Sequence, residues 1–329
     1  MQSGGYRDND DSAQTDGDLK ARSRRQENNV IKEEKMSAFE VVGNGSVKVG
    51  RATSIGTGAQ VIFSKPGSVT IGDYCVIGSG VKIVCSGGDV HISDWSTLHD
   101  NCLVLSTKYV DIGEHCWFGQ NCVIDGTGGL KIERGVRVGM YSQIWSHVAA
   151  GEQIEGCTLF GERPVHIEND VWLVGSCIVA SGVTLGRRTV ALIGSNITKS
   201  FPENTVLAGT PGTPKPGLSF YQTVTSHEKW NLLRKWVEAL SKEMGLKTTT
   251  VEDEQLHLYN DHGELIVFVA ASHQAKSIRT KNPAATVCCV EDKTYNKQFT
   301  VIEKQVLKYL AGNKARFSDV STTRLSSTN

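Results

Sequence analysis

The stretch from Ile167 to Thr198 reads IENDVW LVGSCI VASGVT LGRRTV ALIGSN IT and divides into blocks of six residues. The fifth place of each block is small or β-branched. A period of six matches neither the roughly 3.6-residue repeat of a helix nor the alternation of a strand. It predicts a narrow prism that turns a corner every six residues, as in β-helices, with the first and fifth residues inside. The blocks open with an aliphatic residue or alanine at Ile167, Leu173, Val179, Leu185, Ala191 and Ile197.

The period of six extends back to residue 49 and predicts about seven coils of three faces each. Where a coil contains more residues than three blocks of six, the extra residues follow its third block. All insertions therefore lie at one edge of the prism. The longest insertion covers residues 145–165, and a loop of this length is commonly functional. The coils begin at Val49, Ile71, Ile92, Ile112, Ile132, Ile167 and Leu185.

The amino-acid composition limits the functional classes and the cellular compartments that fit this chain. The 35 basic and 35 acidic residues balance, so no global charge points to nucleic acid or to an anionic membrane. No apolar run approaches the ~20 residues of a membrane span, and no signal peptide opens the chain. Several cysteines stand in the inward fifth place, which favours buried thiols over disulfides or a metal site and indicates a reducing, cytoplasmic compartment. They are Cys75, Cys102, Cys116, Cys122 and Cys177.

The chain divides into four segments. Residues 1–37 are polar and are expected to be a disordered tail. Residues 38–217 form the prism, which ends in a stretch rich in proline and glycine. Residues 218–318 are expected to form a small α+β domain, and residues 319–329 a second disordered tail.

Local signals predict elements of the α+β domain, but no catalytic motif occurs in it. Thr225 and Glu228 make a capping box before an amphipathic helix. Leu256 to Tyr259 and Leu265 to Val269 flank a turn and predict a β-hairpin. A third strand is expected over residues 286–290, and a last helix after Thr300.

Residues 130–212 resemble the hexapeptide-repeat acyltransferases with a left-handed parallel β-helix, most closely the galactoside, maltose and related sugar O-acetyltransferases. The resemblance rests on a histidine at a coil end, the insertion that follows it, and the motifs IENDVWL, VASGVTLG and AGTPG. It implies a homotrimer that transfers an acetyl group from acetyl-CoA to a hydroxyl without a metal. In that family, each active site lies between neighbouring prisms.

The resemblance also assigns roles to single residues. It places the catalytic histidine at His147, and an imidazole with an unperturbed pKa of about 6.5 suits a general base for a sugar hydroxyl. On the acetyl-CoA side it assigns Gly175 to the thioester carbonyl through its backbone amide. The remaining acetyl-CoA contacts that it implies are Trp172, Gly194, Ser195 and Lys199.

Two positions depart from the family pattern. Val174 replaces a glycine, and Gly119 stands where the galactoside enzymes carry an acceptor-binding asparagine. The acceptor is therefore expected to differ from the simple sugar of that subgroup. The candidates for holding it are Trp117, Gln120, Asn121 and Asp125.

The leading expectation is an O-acetyltransferase acting on a sugar hydroxyl, such as one of a bacterial surface polysaccharide or its precursor. An N-acetyltransferase acting on an amino sugar and a non-catalytic trimeric scaffold remain open as alternatives. A zinc enzyme of the γ-carbonic anhydrase kind is disfavoured. His91, His99 and His115 fall at different places of their blocks and do not stack.

Overall fold

The computed structural model describes residues 38–251 and 255–320. The expected N-terminal tail, residues 1–37, lies outside the described residues, as do residues 321–329 of the expected C-terminal tail. Three parallel sheets form a prism over residues 40–214, and each coil passes through sheet B, sheet C and sheet A in turn. A mixed sheet with three helices follows. The expected fold class, a parallel β-helix followed by a small α+β domain, is confirmed.

The strands of the prism are short, because each face spans only one block of six. Sheet A consists of Glu40–Gly43, Gln60–Lys65, Lys82–Ser86, Leu103–Ser106, Val123–Gly126, Gln143–Ile144, Ile178–Val179 and Asn196–Ile197. Sheet B consists of Ser46–Val49, Ser68–Ile71, Asp89–Ile92, Tyr109–Ile112, Leu130–Ile132, Val165–Ile167 and Thr184–Leu185. Sheet C consists of Ser54–Ile55, Val76–Ile77, Thr97–Leu98, Trp117–Phe118, Arg137–Val138, Trp172–Leu173, Val190–Ala191 and Val206–Ala208, closed by the antiparallel strand Thr213–Pro214.

The block openers set the register between coils. Val49 pairs with Ile71, and Ile132 pairs with Ile167 despite the long insertion between them. The openers from Ile71 onward are buried and stack along the inside of the prism, where each removes apolar surface from water. The five fifth-place cysteines are also buried, as expected. Their thiols bond to carbonyls of the next coil, as Cys102 does to Gly119 at 3.1 Å.

We name the corners of the prism by the sheets that they join. The corner after sheet A is the A–B edge, the corner after sheet B is the B–C edge, and the corner after sheet C is the C–A edge. The long insertion leaves the A–B edge after Gln143–Ile144. It forms an antiparallel hairpin of His147–Ala149 with Phe160–Glu162 and contains a 3₁₀ turn at Gln153–Glu155.

The C-terminal module, residues 218–320, combines one mixed sheet with three helices. The sheet runs in the order Lys247–Val251, Gln255–Tyr259, Leu265–Val269, Thr286–Cys289, Thr294–Tyr295 and Ser318–Asp319. The helices are α1 (Ser226–Met244), α2 (Ser272–Lys281) and α3 (Val301–Ala311). The Thr225–Glu228 capping box, the hairpin, the third strand and the capped last helix are confirmed.

The C-terminal module packs on the B–C edge of the prism. Tyr74, Trp95 and His115 occupy the same corner of successive coils at positive φ, a conformation that is uncommon for bulky residues. Tyr74 stacks on Trp95 with ring centroids 4.3 Å apart. Trp95 Nε1 donates to the Tyr295 hydroxyl at 3.0 Å, and His115 Nε2 lies 2.8 Å from the Phe317 carbonyl. These three side chains form an aromatic ladder on which the module rests.

An ion cluster and the last strand reinforce this joint. Lys297 Nζ lies 2.6 Å from Asp73 Oδ2 and also bonds to Asp94. Asp319 lies 3.9 Å from the same ammonium and belongs to the strand Ser318–Asp319. The disordered tail was expected to begin at residue 319, but strand pairing and the contact with Lys297 fix the position of Asp319.

Within the described residues, no helix is long and apolar enough to cross a membrane.

Candidate active site

His147 stands where the long insertion leaves the A–B edge. Its Nδ1 lies 2.8 Å from Asp125 Oδ2, and its side chain is 34% exposed while that of Asp125 is fully buried. The ring also makes an edge contact with Trp145 at a centroid distance of 5.9 Å. An ionised carboxylate only accepts hydrogen bonds, so Nδ1 carries the proton of the neutral ring. The lone pair of the imidazole is then on Nε2.

Asp125 is held by a set of short hydrogen bonds. Oδ2 accepts from the backbone and hydroxyl of Ser146, both at 2.8 Å. Oδ1 accepts from the Thr127 hydroxyl at 2.6 Å and from its backbone amide. Burial opposes ionisation, but the hydrogen bonds from Thr127, His147 and Ser146 outweigh it and lower the pKa of Asp125. The carboxylate is therefore charged at neutral pH.

Sequence reasoning did not single out Ser146 and Thr127, although both fix this carboxylate. The Thr127 contacts form a local turn in which an aspartate bonds to the backbone two residues later. The triplet Asp125-Gly126-Thr127 is a recognisable signal for such a turn. Ser146 has no comparable signal, because its partner lies 21 residues earlier in the chain.

A second group of predicted residues lines a cleft on sheet C and the C–A edge, which we call the sheet C cleft. It has a volume of about 510 Å³, and its walls include Trp117, Met140, Trp172, Gly175 and Ile193. Trp172 is 44% exposed, which is high for a residue next to the core. The cleft brings Trp117, Trp172 and Gly175 together.

The backbone at Gly175 fits a ligand contact. Within the described residues its amide has no hydrogen-bond partner, while its carbonyl accepts from Gly194 at 3.0 Å. A Cβ at Gly175 would meet only the Met140 carbonyl, at 3.7 Å, so packing does not require glycine there. Ser195 is fully buried and donates to the Leu192 carbonyl, so its side chain lies inside the prism rather than in the cleft.

Lys199 and the acceptor candidates are divided between two edges. Lys199 is exposed and follows Asn196–Ile197, so it shares the A–B edge with His147. Gln120 and Asn121 lie on the C–A edge after Trp117–Phe118. Asp125 lies on the A–B edge, behind His147, with its oxygens engaged by protein donors.

Packing between coils explains one of the two departures from the family pattern. A Cβ at Gly119 would lie 2.6 Å from the Met140 backbone nitrogen, so an asparagine cannot stand there without a shift of the next coil. Val174 is half-buried, and its backbone carbonyl lies 1.9 Å from where a Cβ of Gly139 would be, which requires glycine at position 139. Nothing in the structure explains the valine side chain at position 174.

The residues 38–251 and 255–320 contain no group of three or more His, Cys, Asp or Glu side chains suited to a metal ion. His147 has a single carboxylate partner, and His115 bonds to a backbone carbonyl. The groups present at the site are the imidazole of His147, the carboxylate of Asp125 and the backbone amide of Gly175.

No family model matches the chain. It is 28% identical over 142 residues to a galactoside O-acetyltransferase of Lactococcus lactis, covering 43% of this chain and 59% of the relative. It is 42% identical over 125 residues to the galactoside O-acetyltransferase of Escherichia coli, covering 38% of this chain and 52% of the relative. The resemblance to sugar O-acetyltransferases is confirmed.

The chain spans somewhat more than half the length of these curated relatives. Among solved structures, it is similar to a polysialic-acid-specific acetyltransferase, NeuO, at 19% identity and a TM-score of 0.49. That likeness covers 63% of this chain and 98% of the other.

Proposed function

We propose that this protein transfers an acetyl group from acetyl-CoA to a sugar hydroxyl, with His147 as the general base. The observation that carries the proposal is the pairing of a partly exposed imidazole with a buried, ionised carboxylate at the start of the long insertion. The names of the curated relatives support the reaction class. The buried cysteine thiols support a reducing compartment, and we propose the cytoplasm.

The proposed chemistry is a direct transfer. Nε2 of His147 takes the proton of the acceptor hydroxyl as its oxygen attacks the thioester carbonyl carbon. The tetrahedral intermediate then expels the thiolate of CoA, which receives the proton back from the imidazolium. Asp125 stabilises the imidazolium by its charge and fixes the ring through Nδ1.

The sheet C cleft is suited to acetyl-CoA. The volume of the cleft fits an extended, narrow substituent such as the pantetheine arm. The unpaired Gly175 amide is a donor for the thioester oxygen, and a donor aimed at a developing oxyanion contributes roughly 3 kcal/mol to a transition state. Trp172 and Trp117 supply apolar walls on either side.

The distance between His147 and Gly175 within one chain favours an active site that is shared between two chains. The extended segment from Ser142 to Ser146, which contains the strand Gln143–Ile144, separates the C–A edge from the A–B edge by roughly 13 Å at the usual rise of a strand. A general base has to lie within hydrogen-bond reach of the hydroxyl that it activates. His147 of one chain therefore cannot serve Gly175 of the same chain. We propose a homotrimer in which His147 faces the sheet C cleft of a neighbouring copy.

This arrangement gives Asp125 a positioning role in place of the acceptor contact expected from the sequence. Its oxygens accept from Ser146, Thr127 and His147, and its side chain is fully buried. Trp117 lines the cleft, and Gln120 and Asn121 follow its strand on the C–A edge, so all three remain proposed acceptor contacts. The proposed acceptor is a saccharide that differs from galactoside, since Gly119 excludes the asparagine of that subgroup.

The test is acetyl-CoA consumption with a panel of neutral, acidic and amino-sugar oligosaccharides, using wild type and His147→Asn. Asparagine keeps a donor toward Asp125 but has no basic nitrogen. We expect kcat/KM to fall by about 10²-fold or more while CoA binding is retained.

His166 provides a matched control within the same coil. Its Nε2 lies 2.9 Å from Glu133 Oε1 and its side chain is 36% exposed, so His166→Asn removes a similar pair outside the site. Full activity of His147→Asn would remove the base from the mechanism. If only amino sugars are acetylated, the reaction is N-acetylation rather than O-acetylation. If no acceptor is acetylated, the alternative of a non-catalytic trimeric scaffold is favoured.

A further inference from the structure

A second cavity lies where the C-terminal module meets the B–C edge, and we call it the joint pocket. It has a volume of about 560 Å³, within the usual range for small-molecule sites. One wall comes from the corners of three successive coils, at Gly135, Asp170 and Arg188. The opposite wall comes from α1 and from the segment around Arg316.

The joint pocket is strongly basic although the whole chain carries no net charge. Seven of its lining side chains are arginine or lysine, and one, Asp170, is acidic. Asp170 is already used, because Arg316 Nη1 lies 3.3 Å from its Oδ1. Arg134 is also occupied, since it donates to the Arg316 carbonyl and to Ser318. Arg134 also lies 3.9 Å from Glu114. Within the described residues, the other five cations of the pocket form no salt bridge.

Three of the remaining cations are poorly satisfied. Among the described residues, no salt bridge or side-chain hydrogen bond reaches Arg137, Arg188 or Lys293. Arg188 Nε is buried without a partner, and its guanidinium stacks 4.6 Å from the Tyr221 ring. A buried donor without an acceptor destabilises the folded state, so an acceptor at this point would be strongly favoured.

Electrostatics within the pocket agree with this geometry. Burial, together with the charges of Arg134 and Arg316, lowers the pKa of Lys293 to about 8. Burial and Arg316 likewise lower the pKa of Arg137. The folded protein thus holds positive charges close together, and their repulsion destabilises it. Such an arrangement is typical of sites that bind a ligand of opposite charge.

We propose that the joint pocket binds an organic phosphate that carries at least two negative charges. Guanidinium groups match phosphate oxygens through paired hydrogen bonds. Within the described residues, Arg188 Nε has no acceptor, and no side-chain hydrogen bond is made by Arg137. Leu232, Trp236 and Val224 give the pocket an apolar side, which suits the organic part of such a ligand.

The position of the pocket relates it to the sheet C cleft. Arg137 and Trp172 line both cavities, so a phosphate compound in the joint pocket contacts the wall of the cleft. The same chemistry can come from two sources. One is a separate phosphorylated ligand, and the other is the phosphate end of a CoA molecule whose arm lies in the cleft. The binding site itself does not depend on the proposed reaction.

The experiment is calorimetric titration of the full chain with inorganic pyrophosphate and with ADP, at low and at high salt. We expect both to bind and both to weaken as salt rises. Arg188→Gln should weaken binding at least tenfold, because it removes a charge-assisted pair. Lys293→Met is a second variant that keeps the apolar stem of the side chain. Both variants relieve repulsion, so they should melt at or above the wild-type temperature.

Arg187→Gln is the matched control. Arg187 is the neighbour of Arg188 at the same corner, but it is exposed and lies 3.6 Å from Glu203. Its substitution should change affinity by less than twofold. Repeating the titration with saturating CoA separates the two sources, since pyrophosphate is displaced only if CoA phosphates occupy the pocket. The proposal fails if neither probe binds, or if binding survives both Arg188→Gln and Lys293→Met.

Discussion

The A–B and B–C edges of the prism depart from the regular repeat in opposite ways. The A–B edge inserts extra residues, and its central carboxylate, Asp125, is satisfied by donors from Ser146, Thr127 and His147. The B–C edge inserts nothing, but it carries bulky and charged side chains at a corner where small residues are common. There the cations Arg188 and Lys293 have no ion-pair partner within the described residues.

The difference separates two kinds of site on one scaffold. At the A–B edge, donors within the chain satisfy the Asp125 carboxylate, and Nε2 of His147 is the atom that we propose takes the acceptor proton. At the B–C edge, the aromatic ladder stabilises the contact with the C-terminal module. In the coils that follow the ladder, Arg188 has no ion-pair partner within the described residues. A complete network is typical of a positioned catalytic group, whereas an incomplete one indicates that a ligand completes it.

The largest expected effect concerns the ladder. Trp95→Ala removes the hydrogen bond to Tyr295, which joins the prism to the C-terminal module, and the stack on Tyr74 within the ladder. We expect the free energy of unfolding to fall by about 4 kcal/mol, measured by urea denaturation. Trp172→Ala, on the exposed face of sheet C, should cost less than about 1 kcal/mol. Equal costs would show that the ladder does not hold the module.

A smaller effect is expected on catalysis from Asp125→Asn. Loss of the charge behind His147 should lower kcat/KM by roughly 10- to 100-fold, mainly through kcat. Glu133→Gln, which alters the His166 pair, should change kcat/KM by less than about twofold. If Asp125→Asn keeps the kcat of the wild type and alters only its stability, Asp125 has a structural role and does not act through His147.

The smallest effect concerns Lys293. Its pKa of about 8 lies below the unfolded value of about 10.4. Between these values the unfolded chain binds more protons, so stability rises with pH, and below pH 8 the full penalty applies. Lys293→Met should therefore be more stable than wild type by about 2 kcal/mol at pH 7 and equal to it above pH ~10.5. A difference that does not vary with pH would contradict the repulsion at the joint pocket.

The prism was predictable from sequence because one physical rule, inward burial at the first and fifth places, repeats in every coil. The paired openers Ile132 and Ile167 keep their register across the insertion. The edge that bears the insertion was predictable for the same reason. The partner of His147 was not, because the buried position of Asp125 depends on Ser146 in the next coil.

The C-terminal module was predictable only where capping and alternation are strong. α2, with the sequence SHQAKSIRTK, was missed because Ala275 is its only fully buried residue. The docking of the module was also missed, although Tyr74, Trp95 and His115 share the fourth place of their blocks. A bulky residue at a corner that requires positive φ is a usable signal for a covering domain. The joint pocket had no sequence signal, since Arg188 and Lys293 are brought together only by that docking.

The aromatic ladder also sets an order of assembly. Neighbouring coils close short loops, as when the Asp73 amide bonds to Asp94 across 21 residues. The module closes far longer ones, since Tyr74 reaches Glu303 across 229 residues. Loop closure costs more entropy as the separation grows, and contacts between distant residues form slowly. The prism can therefore propagate coil by coil during refolding, and we expect the module to dock only after Tyr74, Trp95 and His115 have stacked to form its contact surface.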